Sequence, residues 1–460
     1  MRPSAAPVSC AAGSMTAELV DAQSAPASVD VEAIRRSLHA LSPAYDVNGW
    51  RLPLPPWAQR PYDDPGAGAW DTLRGDLARE GSTRPMCIYM HIPFCDAKCG
   101  FCDSYSFKLG SRIEETATAY IERLLYELTL WSQLPGIRGR SISTVHLGGG
   151  TPTFIGERLL TRLVECCREA FATSDSTEWA LEATASSLTP SMIATMDALG
   201  FRRLHIGVQS LEDPVRLAIG RRGNASGVLS RIESSLAVGW VVSVDLLCGL
   251  PGQTVVGFLD GIETLVRAGV DGFSLYELLI YPQNRRWADG HGLIGRNHLA
   301  NYLMFLAGAA VLEGHGYLKN VFNHWAGWRD ANLYFTFPTR GEDCLAVGAI
   351  ADGVFGDYHY RHPRYGPYLR AAVLGSPGLE GGLRRTAREN AVRPLVTALL
   401  SGHIDETQVG EFVMSKGESL IEKWQANALL EPDPHGGLRL TASGAWFTGN
   451  LIAEIDTHAR

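Results

Sequence analysis

The sequence has no apolar run approaching the roughly 20 residues that span a bilayer, and its N-terminus lacks the charged-then-apolar order of a secretory signal. Both absences point to a cytoplasmic protein. It also lacks an excess of positive charge: 41 Lys and Arg against 49 Asp and Glu leave a net charge of -8. That balance argues against a general binder of phosphate backbones, though it permits a local basic pocket. Cysteine is scarce too. Nine in 460 residues form no disulfide framework for a cytosolic chain, so any that cluster are candidate metal ligands or reactive thiols. Cys10, Cys166, Cys167, Cys248 and Cys344 lie scattered and read as small apolar residues.

What is present describes a globular protein of more than one part. The chain exceeds the usual single-domain size, and 45% hydrophobic residues supply ample core. Residues 1–30 are poor in large apolar side chains and read as a disordered leader. Residues 31–85, with LPLPPWAQRPYDDPG, read as a segment that wraps a larger body. From residue 86 the pattern turns regular. Strand-like runs CIYMHI, STVHLG, EWALEA, RLHIGVQ, VVSVDLLCG and GFSLYELLI alternate with helix-like segments such as ERLLTRLVECCREAF. That alternation predicts an α/β fold with parallel pairing through right-handed crossovers, here a six-unit partial barrel over 86–285. Ligand chemistry in such folds collects at the C-terminal strand ends, where the notable motifs fall.

The cysteines that do cluster stand in YMHIPFCDAKCGFC, where Cys95, Cys99 and Cys102 have C-x3-C-x2-C spacing just after the first strand. A closed zinc site or a structural [4Fe-4S] cluster wants four ligands, so three leave one coordination position open for a substrate or second cofactor. A zinc site completed by His91, and a C-x2-C redox pair formed by Cys99 and Cys102, remain the competing readings.

The motif, with Phe101 before its last cysteine, resembles the radical S-adenosylmethionine (SAM) enzymes. Its wording is similar to the branch containing oxygen-independent coproporphyrinogen oxidases, heme chaperones, anaerobic heme-degrading enzymes and class C radical methyltransferases. HLGGGTPT, GFRRLHIGVQSLED, IGRR, VDLLCGLPGQT and FSLYELLIYP follow in that branch's order over about 200 residues. The resemblance implies that Cys95, Cys99 and Cys102 hold a [4Fe-4S] cluster whose free iron chelates SAM. One electron, from a reductase such as flavodoxin or ferredoxin, then yields a 5′-deoxyadenosyl radical. It further implies SAM contacts from Phe101, Gly148, Gly149, Gly150, Thr151, Glu182, Gln209, Arg221, Asp245 and Leu247. The competing reading pairs such buried polar groups with one another, for instance Glu182 with Arg221. Tyr89 is expected to face the same cavity and contact SAM or substrate.

Members of this branch often bind two SAM molecules, and by resemblance Tyr276 and Glu277 would face the second, with Tyr89 and Glu277 as catalytic candidates. Residues 286–375 form an aromatic-rich connecting region suited to a flat, unsaturated small-molecule substrate. Within it NHWAGW only partly echoes the histidine stretch of the heme chaperones. Residues 376–460 look like a small winged-helix-like α+β module. Their acidic balance disfavours DNA, so a substrate lid is expected. The reading favours class C methylation or cyclopropanation of an sp2 carbon. Porphyrinogen oxidation or other anaerobic heme chemistry is the alternative, and a heme-binding carrier is a second; no membrane or nucleic-acid partner is expected.

Overall fold

In the computed structural model, residues 34, 45–78, 83–109, 113–295, 298–371, 375–405 and 418–458 are described. The leader expected over residues 1–30 therefore lies outside the described residues, as does most of the stretch to residue 44. Among the described residues no helix is long and apolar enough to cross a membrane.

Six parallel strands form as the alternation predicts: β1 (Met86–Ile92), β2 (Ile142–Gly149), β3 (Glu178–Ala183), β4 (Arg203–Gln209), β5 (Val241–Cys248) and β6 (Gly272–Glu277). They pair in chain order, each with the next. Crossovers run through α1 (Ile113–Ser132), α2 (Glu157–Ala170), α3 (Pro190–Ala198), α4 (Ala225–Ala237) and α5 (Val255–Arg267). Short polar residues start these helices where the sequence supplies them. The Thr189, Asn224 and Thr254 side chains accept from Met192, Gly227 and Gly257 amides.

Both sheet faces are covered, so β1 reads as a continuous buried run instead of an amphipathic one. Met86, Ile88, Met90 and Ile92 join the main core under the helices, whereas Cys87 and Tyr89 belong to a separate inner cluster with Tyr334. The sheet order is Asp64–Pro65, β12, β11, β10, β9, β1, β2, β3, β4, β5, β6, β8, β7. The additional strands are β7 (Leu318–Val321), β8 (His324–Ala326), β9 (Asp343–Val347), β10 (Asp352–Phe355), β11 (Tyr358–Arg361) and β12 (Gly381–Arg384).

Two features of this order correct the expectation of a mere connection over 286–375. First, β9 pairs parallel to β1 from Asp343 opposite Met86 to Val347 opposite Met90, making a seventh parallel strand. Second, β10, β11 and β8 extend the sheet antiparallel on its two sides. After α6 (Leu299–Gly314), the short helix α7 (Leu333–Thr336) inserts its aromatics against the inner strand face. The C-terminal residues form helices including α8 (Ala387–Ser401), opened by a Thr386–Glu389 capping box, with a three-stranded sheet His403–Ile404, Leu438–Leu440 and Leu430–Pro432. That is the α+β module expected there.

Candidate functional site

The cysteine loop is fastened to the sheet by backbone geometry. Gly150 N–H donates to Ile92 O at 2.8 Å and Thr151 N–H to Phe94 O at 2.7 Å. A Cβ on Gly150 would stand 2.5 Å from Phe94 O, so glycine is required for this approach. On the other side of the loop, Asn284 Nδ2 donates to Phe101 O at 3.1 Å. The Trp287 indole packs so closely that a Cβ on Gly100 would fall 2.2 Å from its Nε1.

Cys95, Cys99 and Cys102 all line one cavity of about 150 Å³ and none is in a disulfide. Thr151 Oγ1 lies 3.6 Å from Cys95 Sγ and Lys98 Nζ 3.5 Å from Cys102 Sγ. Burial pushes the Cys99 thiol up, opposed by the positive charge of Arg221. The same cavity is walled by Phe101, Gly149, Gly150, Thr151, Glu182, Gln209, Arg221 and Asp245. Of the expected set, Gly148 and Leu247 stand back from it. A Cβ on Gly148 would meet Glu182 Oε1 at 2.6 Å and Tyr89 at 2.9 Å, so this glycine makes room for those two side chains. Leu247 packs with Phe101 in an apolar cluster beside the cavity.

Glu182 is not paired with Arg221, the example the competing reading gave, although Arg221 and Gln209 do pair with each other. Glu182 accepts from His146 Nε2 at 3.1 Å and from Gly149 N–H at 3.0 Å. Burial pushes its carboxyl up, but those donors outweigh burial and hold it below the usual range. Arg221 instead donates to Gln209 Oε1 and lies over the Phe101 ring at 5.5 Å. Its Nε is buried and has no hydrogen-bond partner among the described residues. His205 donates to Asp245 Oδ1 at 2.6 Å; burial opposes the imidazolium, yet Asp245 raises the His205 pKa overall. His146 and His205 escaped the sequence reading. Strand alternation could have found them, since they lie two residues before Gly148 and Gly207 on the inward face.

Tyr89 faces inward as expected, but into an adjoining cavity of about 310 Å³ that shares Gly149, Glu182 and Ser104 with the thiol cavity. Its hydroxyl donates to His91 Nδ1 at 3.0 Å, and His91 Nε2 donates to Tyr105 O at 3.2 Å. His91 is thereby committed to neighbours and does not complete a zinc set. The Tyr89 ring stacks on Tyr334 at 5.0 Å, and Tyr334 on His146 at 4.3 Å.

Glu277 corrects the expectation for β6. Alternation along the strand sends Tyr276 inward, within electrostatic reach of Asp245 and Glu182. Glu277 turns to the opposite face, where it is bonded by His298 and by Asn301 Nδ2 at 3.0 Å. It reaches neither the thiol cavity nor the one beside Tyr89.

The donor set fits an iron–sulfur cluster with an open position. Three free thiols share a cavity with a carboxylate acceptor and with an arginine whose buried Nε lacks a partner. A zwitterionic ligand beside a three-thiolate cluster supplies what those groups lack: an ammonium for Glu182 and a carboxylate for Arg221.

The model of the Radical SAM superfamily matches residues 89–265. An anaerobilin synthase of Escherichia coli O157:H7 is 26% identical, over 85% of this chain and 87% of its own. An oxygen-independent coproporphyrinogen III oxidase of Escherichia coli (strain K12) is 28% identical, over 82% of this chain and 86% of its own. The solved coproporphyrinogen III oxidase (HemN) from Escherichia coli, described as a radical SAM enzyme, superposes with a TM-score of 0.73 at 21% identity, covering 86% of this chain and 95% of its own. The preference for a methyltransferase finds no support among these relatives.

Proposed function

Because the chain carries a radical SAM domain and belongs to that superfamily, we propose that it uses SAM to abstract hydrogen from a carboxylated tetrapyrrole, as in porphyrinogen oxidation. The observation that carries the substrate class is the extent of the similarity. The match to the coproporphyrinogen III oxidase runs over 82% of this chain, and so takes in segments beyond the radical SAM core. Cys95, Cys99 and Cys102 would hold the [4Fe-4S] cluster in this reading. Cluster and SAM together supply a 5′-deoxyadenosyl radical when an electron arrives from a protein such as flavodoxin or ferredoxin.

The chain's own residues then have definite tasks. Glu182, fixed by His146 and Gly149, accepts from the SAM ammonium. Arg221, oriented by Gln209, donates its free Nε–H to the SAM carboxylate. Asp245, held by His205, accepts from a ribose hydroxyl. Tyr89, Tyr334 and His146 form a stacked wall that would keep water from a substrate held in the adjoining cavity. The reading needs one SAM; a second would share that cavity.

The heme-carrier alternative is weakened by what the region's histidines do. His324 is bonded to Ser274 and Asp330 at 2.8 Å each. His362 bonds Ala351 O and Glu127. His359 Nε2 accepts from Arg385. Each is engaged within the protein.

The test is mass spectrometry of the nucleosides formed when anaerobically reconstituted, dithionite-reduced protein receives SAM and a tetracarboxylic porphyrinogen. The expected result is 5′-deoxyadenosine formed with substrate oxidation and without S-adenosylhomocysteine. S-adenosylhomocysteine in equal amount would replace oxidation with methyl transfer. Neither product, with a heme Soret band on titration, would replace it with carriage.

A further inference from the structure

A cavity of about 540 Å³ lies apart from the thiol cavity and exceeds it in volume. It lies between the N-terminal segment, α7, β10–β12 and α8, and touches the cavity beside Tyr89 through Asp352. Its volume falls within the range that holds ligands of drug size and above. Trp57, Phe335 and Phe337 give it flat apolar walls. Arg385 and Arg393 give it a positive floor, beside the neutral His359 ring.

The charges on that floor are only partly compensated: Asp357, Glu389 and Asp343 act on Arg385 through space, but none of them bonds it through its side chain. Arg385 makes three hydrogen bonds, all to neutral acceptors: Asn390 Oδ1 at 2.9 Å, Gly356 O at 2.7 Å, and His359 Nε2. Among the described residues Arg393 has no hydrogen bond or ion pair, although it is half-buried. The nearest carboxylates are already taken. Glu389 is bonded by Arg60 and the Thr386 cap, and Asp343 by Arg140 at 2.8 Å and the Gly356 amide. Two guanidiniums side by side in a recess repel each other unless an anion lies between them. Burial and the two arginines push His359 down to about 3, and burial with Arg393 pushes Arg385 down to about 10 against the opposing pull of Asp357, Glu389 and Asp343.

We infer that Arg393, with Arg385 beneath it, is a carboxylate anchor for the substrate. A planar ligand lies between Trp57 and Phe335–Phe337, places an acidic substituent on Arg393, and extends past Asp352 toward Tyr89 and Glu182. This rests on the proposed hydrogen-abstracting function and adds to it the residues that select an acidic, flat substrate. It also gives the wall from 321 to 400 a task in recognition. Asp352 stands at the narrows between the two cavities, with 65% of its side chain accessible. Its carboxylate lies 3.6 Å from Arg361 Nε, which offsets part of its charge toward a neighbouring carboxylate.

The experiment is a fluorescence titration of the full-length protein, without SAM or reductant, using a tetracarboxylic porphyrin and its uncharged tetra-amide. The expected result is saturable binding of the acid, weakened at least tenfold or so in the amide and in Arg393→Gln, as loss of a charge-assisted contact predicts. A circular dichroism melt of Arg393→Gln confirms that the variant is folded. The amide comparison, made on wild-type protein, decides the matter if it is not. Equal binding of acid and amide, an unchanged affinity in folded Arg393→Gln, or no binding of the acid would each overturn the anchor. SAM cleavage measured on the same wild-type preparation separates the two levels. Cleavage without acid-selective binding removes the anchor alone, whereas absence of cleavage under reducing conditions removes the function on which it rests.

Discussion

Replacing Gly150 by alanine tests the claim that backbone contact, more than any side chain, holds the thiol loop in place. The added Cβ would lie 2.5 Å from Phe94 O, 2.8 Å from Phe94 N and 2.9 Å from Ile92 O. Ordinary contact begins near 3.4 Å, so the loop must withdraw by about 0.9 Å, and all three obstacles are backbone atoms that cannot rotate away. Withdrawal strains the Gly150–Ile92 and Thr151–Phe94 hydrogen bonds, worth roughly 0.5–1.5 kcal/mol each. Overpacking of this kind costs about 1–3 kcal/mol, so the combined loss is about 2–6 kcal/mol. Because Gly150 and Thr151 bond Ile92 and Phe94, the residues that lead into Cys95, iron retention falls with stability. Urea unfolding and iron per chain after reconstitution are the assays. Gly75→Ala is the matched control. Gly75 lies exposed in the helix Ala67–Asp76 with nothing within 4 Å of the new methyl, and alanine there gains up to about 1 kcal/mol of helix propensity. A Gly150→Ala protein with wild-type iron and an unchanged urea midpoint would refute the reasoning.

Three further outcomes follow from the geometry. Glu127 is fully buried and bonded by His362, by Tyr368 Oη at 2.6 Å and by Trp131 Nε1 at 3.1 Å, tying α1 to the segment after β11. Glu127→Ala should cost about 3–5 kcal/mol in urea unfolding, as breaking a buried charged network does; a loss under 1 kcal/mol would show that the network is dispensable. Burial pushes the Lys319 ammonium down from its ordinary 10.5 to about 7. Below pH 7 the folded and unfolded chains both carry this proton; between pH 7 and 10 only the unfolded chain does, so folding becomes more favourable as pH rises. The stability of wild type relative to Lys319→Met should therefore increase from pH 7 to 10, and a flat difference would contradict the assignment. Glu182→Gln keeps the shape but removes the charge that meets an ammonium, and SAM binding measured by equilibrium dialysis should weaken at least tenfold or so; undiminished binding would remove Glu182 from the SAM site.

Much of the site was legible because the chemistry is local in sequence. Cys95, Cys99 and Cys102 fall within eight residues, and Gly149, Thr151, Glu182, Gln209 and Asp245 each lie at or near a strand end, so predicting the strands placed them together; Arg221, beyond a short helix, came from the resemblance alone. What resisted was pairing over long range. The five residues Asp343–Val347 are buried on both faces, and nothing in so short an apolar run says that they pair with β1 some 250 residues earlier. Glu277 was misplaced for a smaller reason. On a strand the face alternates with each residue, so Tyr276 and Glu277 cannot both look inward. His146 and His205 were overlooked because a histidine within an apolar strand ordinarily signals packing. Only the fold shows that each fixes the carboxylate that the sequence did single out. Arg393, on α8, could not be linked to the site without knowing that this helix walls the large cavity.

The account's central claim is that three thiols in one loop hold the cluster on which SAM cleavage depends. Its most direct test is the visible absorption of Cys99→Ala beside wild type, each reconstituted anaerobically and then given dithionite and SAM. Loss of both the brown iron–sulfur absorption and 5′-deoxyadenosine formation is the predicted result; cleavage that survives the substitution would contradict the three-cysteine assignment.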